Sequence, residues 1–260
     1  MYLNQYTGRG IRVAVIDSGV HVSHPHIVEP PAGGEADPAA AARSTDRPIV
    51  TGVGIREDGS LDDDYTDRLG HGTAVAAAIR EKAPDAQIVA IKVFWRRLAT
   101  DVPTLVRGIE EACARGASVI NLSLGTTDVT RRAELQAAIS RAVETGAIVV
   151  SATGDEDIRW LPGSLDDIVP VRLDWGCPRD AYRVARDGAR PVIVASGYPR
   201  EIPGVPRERN LKGISFAVAN ATGFVARARE AAAAARTGQL LDMLAAAACD
   251  DACRTVVQEG

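Results

Sequence analysis

The sequence predicts an α/β fold, a doubly wound and mainly parallel sheet of about seven strands with helices on both faces. Three observations carry this. Short apolar runs recur along the chain, and they are continuous rather than alternating, which marks strands buried on both faces. Segments with helical spacing lie between them, so strand and helix take turns. The 260 residues are 46% hydrophobic and 25% charged with a net charge of -4, the composition of an ordinary globular domain.

The strand candidates in order are "IRVAVI" (11–16), "PIVTGVGI" (48–55), "AQIVAIKVF" (86–94), "ASVINLSL" (117–124), "AIVVSA" (147–152), "DIVPVRL" (167–173) and "PVIVAS" (191–196). Helix candidates cover about 72–82, 102–115, 130–145, 215–236 and 238–250. The Pro-, Gly- and Ala-rich stretch 29–48 has no apolar period and reads as a surface loop. With no internal repeat and no linker, residues 1–260 are expected to form a single domain, with 237–260 as a C-terminal helical extension.

Several function classes are disfavoured. A net charge of -4 gives no reason to expect nucleic acid, and the Arg-rich "RRAELQAAISR" reads as a salt-bridged helix face. No apolar run is long enough to span a bilayer, and the polar N-terminus "MYLNQYTGRG" lacks a signal core, so a cytoplasmic chain with no membrane partner is expected. There the default for Cys113, Cys177, Cys249 and Cys253 is the free thiol. The "CDDAC" pair shares a helix face but lacks the other two ligands of a metal site.

Three residues stand out chemically. His71 lies between Gly70 and Gly72 at the start of a helical run, with room around its ring for a second reactant. Asp17 ends the first strand, where a buried carboxylate needs a partner, and His71 is a natural one. Ser215 falls in the first turn of a helix that follows Gly213, with unpaired backbone N–H groups for an oxyanion. Taken alone it would read as an ordinary helix cap. Together they occur in the chain order Asp, His, Ser.

With "VAVIDSGVHVSHPHI", "GHGTAVAAAI" and "GISFAVANATG" in that order, the chain resembles the subtilases, the subtilisin-like serine proteases. Secondary matches extend from about residue 8 to 235: "INLSLG", "SATGDED" with "WLPG", and "VASG". The resemblance implies a peptide hydrolase in which Ser215 is the nucleophile, His71 the general base and Asp17 its orienter. It implies an extended peptide or precursor-protein substrate, held by Ser123, Leu124 and Gly125 as an added strand. Ser151, Ala152, Thr153 and Gly154 would form the wall beside it. The Ser215 N–H and the side chain at 155 would serve the oxyanion. No cofactor is required. Many subtilases use calcium, but the acidic segment 57–68 lacks an ordered ligand spacing and reads instead as a solvated approach to His71.

Departures from the family pattern are informative. Asp155 stands where the family usually places Asn, whose N–H faces the developing oxyanion; an ionised carboxylate only accepts hydrogen bonds. Loss of such a donor costs about 3 kcal/mol. A protonated Asp155 in a dry pocket would restore the donor. Glu156 and Asp157 read as loop charges. Ile214, Val218, Ala219 and Asn220 replace the usual residues at what read as packing positions. His21, His24 and His26 have near-metal spacing, but His24-Pro25 belongs to the matched motif, and packing or solvated roles are expected. The chain starts near the catalytic core, leaving no room for an inhibitory pro-segment, so a narrow processing protease is expected. The alternative is a peptide-binding protein in which Asp155 leaves little catalysis.

Overall fold

The computed structural model describes residues 3–28, 49–154 and 158–258, with side chains described through Ala248. The expected surface loop 29–48 lies outside the described residues. Continuous apolar runs produce a parallel core sheet. Its strands are β1 (Arg12–Asp17), β2 (Val50–Ile55), β3 (Leu61–Asp62), β4 (Gln87–Lys92), β5 (Val119–Leu122), β6 (Ile148–Ala152), β7 (Ile168–Leu173), β8 (Tyr182–Asp187) and β9 (Arg190–Ala195). Among the described residues they form one sheet in the order β3-β2-β4-β1-β5-β6-β7-β9-β8. Only β3 and β8, one at each edge, are antiparallel to their neighbours.

Those two edge strands are what the sequence reading of about seven strands left out. β3 has only two residues. β8, "YRVARD", carries three charges, because its exposed positions need no apolar side chain. The seven central strands coincide with the apolar runs.

Six helices are described: α1 (Pro25–Val28), α2 (His71–Lys82), α3 (Val102–Ala114), α4 (Arg132–Glu144), α5 (Ile214–Ala231) and α6 (Thr237–Gln258). Alternation along β1 sends Val13 and Val15 to one core and Ala14 and Ile16 to the other. The first core holds the apolar residues of α2, α5 and α6, and the second those of α3 and α4. α2 and α5 approach closely because they are rich in Ala and Gly; a Cβ on Gly223 of α5 would come within 2.6 Å of the Lys82 Cβ. α6 packs as part of the first core, burying Leu240, Leu241 and Leu244. Tyr182 of β8 donates its hydroxyl to the Leu244 carbonyl at 2.8 Å.

Two polar fasteners sit at opposite ends of this scaffold. Lys92, 1% exposed, ends β4 and donates to the Thr66 carbonyl at 2.8 Å, with its ammonium 4.2 Å from the Trp95 ring centroid. Glu230 near the end of α5 accepts from the backbone N–H groups of Thr7, Gly8 and Arg9 at 2.8, 2.6 and 3.0 Å. That carboxylate ties the segment leading into β1 to the helix that begins at Ser215. Replacing it strands three donors at once. Glu230→Ala is therefore expected to lower unfolding stability by about 1–3 kcal/mol, read by urea denaturation of the full chain; an unchanged midpoint would show that water replaces the carboxylate.

Candidate active site

The strand order brings the three chemical residues to one edge of the sheet, at the C-terminal ends of the central strands. Asp17 is the last residue of β1 and has no exposed surface. His71 is the first residue of α2 and is 9% exposed. The His71 Nδ1 lies 2.8 Å from Asp17 Oδ1 and 3.0 Å from Oδ2. Asp17 Oδ1 also accepts from the backbone N–H of Ser18 at 2.7 Å. The close passage of α2 over β1 requires Gly72: a Cβ there would lie 2.2 Å from the Gly19 carbonyl oxygen.

Burial works against a charged His71 imidazole. The hydrogen bond that His71 donates to Asp17, the Asp17 charge and that of Asp67 outweigh burial, and the net shift is upward. The ring is thus oriented through Nδ1, and Nε2 is left for another partner. The His71 ring lies 5.5 Å from the ring of Phe216, the residue after Ser215.

Ser215 is the second residue of α5, after Gly213 at φ 145°. Its N–H precedes the first helical acceptor, so the helix itself does not use it. The Ser215 hydroxyl donates to the Ser123 carbonyl at 3.1 Å, and the Ser123 hydroxyl donates to the Ser215 carbonyl at 3.0 Å. A buried chain continues behind them. Asn121 donates to the Ser123 hydroxyl at 2.9 Å, and Thr222 donates to Asn121 Oδ1 at 2.9 Å. The start of α5 is therefore locked to the segment after β5.

The expected substrate-facing segment, Ser123 to Gly125, follows β5 directly. Ser123 is buried, Leu124 half-buried and Gly125 exposed. Gly125 packs against Trp160 and the Leu161 carbonyl, and Thr126 and Leu161 exchange N–H to carbonyl bonds at 2.8 Å each. Ser151, Ala152 and Thr153 are buried, and the Ser151 hydroxyl donates to the Leu122 carbonyl. Gly154 pairs with Arg159 in an antiparallel bridge. Asp155, Glu156 and Asp157 lie between these flanks, outside the described residues.

The structure adds residues that sequence reasoning missed. Asp67 is 7% exposed and accepts from the Ser18 hydroxyl and from the backbone N–H groups of Leu69, Gly70 and Thr73. It also accepts from the Thr73 hydroxyl at 2.6 Å. Ser18 in turn accepts from the N–H of Gly72 at 2.9 Å. The segment 57–68 is largely exposed, as expected of a solvated approach, but at Asp67 it turns inward into a folded clamp before His71. Asp64 too is engaged, by Arg68 at 2.5 Å. Asn220, read as a packing position, is buried and donates to the carbonyls of Ser196 and Tyr198, fastening α5 to the segment before it. An Asp a few residues ahead of a Gly-His-Gly was the available signal for Asp67.

His26 donates its backbone N–H to His24 Nδ1 at 3.2 Å, and the rings of His21, His24 and His26 meet edge to face. Among the described residues, no three His, Cys, Asp or Glu side chains are grouped to hold a metal ion. Cys113 and Cys177 are free thiols, both pushed up by burial. The side chains of Cys249 and Cys253 lie outside the described residues. No described helix is long and apolar enough to cross a membrane.

The sequence and the fold have counterparts among known proteins. The family model for the subtilase family matches residues 8–199, and the chain belongs to that family. It is 33% identical over 159 residues to the minor extracellular protease Epr of Bacillus subtilis (strain 168), covering 58% of this chain and 21% of that protein. A cold adapted subtilisin-like serine proteinase superposes with a TM-score of 0.67 at 20% identity, over 93% of this chain and 83% of that one. The prenylagaramide maturation protease PagA superposes at 0.60 with 25% identity, over 88% and 78%. The chain spans between 21% and 52% of the length of the first curated relatives it matches.

Two outcomes test the geometry itself. An NMR titration of His71 should give a pKa above the ordinary 6.5, and Asp17→Asn should bring it down. Asp67→Asn, which turns an N–H donor toward groups that also donate, should cost about 1–3 kcal/mol of stability. A wild-type His71 pKa below the ordinary value would show that burial prevails over Asp17.

Proposed function

We propose that the protein is a serine endopeptidase of narrow specificity, acting on an extended segment of a precursor or leader peptide. The supporting observation is the buried Asp17–His71 pair, 2.8 Å apart, with Ser215 on the adjoining helix start. In this reading His71 Nε2 takes the Ser215 proton as Oγ attacks the peptide carbonyl. The proton then goes to the leaving amine as the C–N bond breaks, and water hydrolyses the acyl-enzyme by the same route reversed. The Ser215 hydroxyl must first turn from the Ser123 carbonyl toward His71, a rotation about one side-chain bond. The substrate backbone aligns along Ser123, Leu124 and Gly125, and Ser151 to Gly154 form the adjoining wall.

The precursor assignment draws on a structural neighbour whose name describes a maturation protease, PagA, and on the absence of an Asn at position 155. Asp155 is read here as the oxyanion donor, working only when protonated. A slow, selective enzyme follows from that. A protein that binds peptides and scarcely cuts is the competing reading, and the same experiment separates the two.

A fluorophosphonate probe should label Ser215, and Ser215→Ala should abolish the adduct. Absence of labelling between mildly acidic and mildly alkaline pH would favour the binding protein. Asp17→Asn should lower kcat by roughly 10³–10⁴-fold through loss of the imidazole's orientation. Because His71 must be neutral to act, and its pKa is raised, kcat/KM should fall as pH drops through a value above 6.5. On the alkaline side activity should fall as Asp155 ionises. Asp155→Asn should remove that limb and raise turnover; a slower variant at every pH would refute the donor role.

A further inference from the structure

A cavity of about 830 Å³ opens where α2 and α5 end, far from the residues that begin them. Lys82 closes α2 eleven residues after His71, and Arg227 lies twelve residues after Ser215, each about 16–18 Å away along its helix. The segment that leads from β9 into α5 supplies Tyr198, and the segment after β7 supplies Trp175 and Arg179. Lys82 and Arg227 thus lie a helix length from the catalytic residues, while Ser196 and Tyr198 follow β9 and flank Gly197, whose carbonyl accepts from the Gly213 N–H at 2.9 Å.

Its interior carries polar groups without partners. Ser196 is 1% exposed, and its hydroxyl meets no hydrogen-bond partner among the described residues. The buried Nε atoms of Arg179 and Arg227 are in the same position. Arg179 and Lys82 share the Glu81 carboxylate. Arg227 has no hydrogen bond or ion pair among the described residues. Burial pulls its pKa down, and the one charge acting against that is Glu230, whose Oε2 already accepts three backbone N–H groups. A buried donor without a partner is costly, and departures of this kind concentrate at functional sites.

The charge balance narrows the ligand. Four cationic side chains and three carboxylates line the cavity, which leaves one positive charge. A single negative charge matches that surplus, whereas a dianion would meet Glu81, Asp180 and Glu201 with an excess of its own. The mouth is aromatic: Trp175 and Tyr198 meet edge to face with centroids 5.2 Å apart, and Trp175 is half exposed. The volume suits a small organic molecule.

We propose that this cavity is a second binding site, which takes a monoanionic carboxylate on an aromatic or aliphatic body, with Arg227 as the anchor and the Ser196 hydroxyl as a further donor. The carboxylate accepts from the guanidinium and the hydroxyl, and the body lies against Trp175 and Tyr198. A free organic acid and an acidic side chain of a peptide share this chemistry.

Calorimetric titration of the full chain with 3-phenylpropionate and with an acetylated Phe-Asp dipeptide amide tests it. At least one should bind saturably at millimolar concentration or below, and which one identifies the source. Arg227→Met should weaken binding by roughly tenfold or more without lowering Tm, and Ser196→Ala by roughly threefold. Ser215→Ala should bind as the parent does, so the result stands whether or not the protein cleaves peptides. The proposal fails if neither acid binds, if 3-phenylpropanamide binds as tightly as the acid, if inorganic phosphate binds more tightly than either, or if both variants bind unchanged.

Discussion

A carboxylate with no exposed surface has to be surrounded by donors, and the arrangement around Asp17 follows from that need. Its oxygens accept from His71 and from the Ser18 N–H, and its backbone carbonyl accepts from the N–H groups of Val93 and Phe94. Those donors come from three elements that are far apart in sequence. Satisfying the buried charge fixes the start of α2 against the end of β1, and the backbone carbonyl of the same residue ties in the segment after β4. Gly72 is the steric condition for it, since any larger residue would hold α2 away from Gly19. Asp67 repeats the device one layer out, with five donors converging on a second buried carboxylate.

The pair has opposite consequences for stability and for chemistry. His71 gains affinity for a proton on folding, so its ion pair with Asp17 stabilises the fold fully below the imidazole's unfolded pKa, and that contribution is lost as pH rises through the folded value. In the proposed mechanism, however, His71 acts as a base in its neutral state. The site is thus most useful where its central pair contributes least to the fold. The surrounding clamp of Ser18, Asp67 and Thr73 does not depend on the charge of His71 and can hold the geometry there.

Much of this was legible in advance. The seven central strands are buried on both faces, so their apolar runs were unbroken and visible. Asp17 and His71 sit beside Gly19 and Gly72, demanded by close packing, and Ser215 follows Gly213, whose φ of 145° favours glycine, which left a local signature. What stayed hidden is polar and tertiary. β8 carries charges because it is an edge, and it reads as a loop until β9 is placed beside it. Asp67 stood among other acids, and only the fold shows it turned inward while Asp63 remains exposed. Asn220 looked like filler because the carbonyls it binds, at Ser196 and Tyr198, come from a segment more than twenty residues away.

The Glu230 clasp closes a ring in the architecture. Ser215 and Glu230 belong to one helix, Glu230 holds residues 7–9, and those lead through β1 to Asp17. The strand β1 is therefore fastened by a helix that lies some two hundred residues further along the chain. A nascent chain stalled before residue 230 holds Asp17 and His71 but lacks the clasp that sets them against Ser215. The three residues are then brought into one arrangement only once α5 has docked.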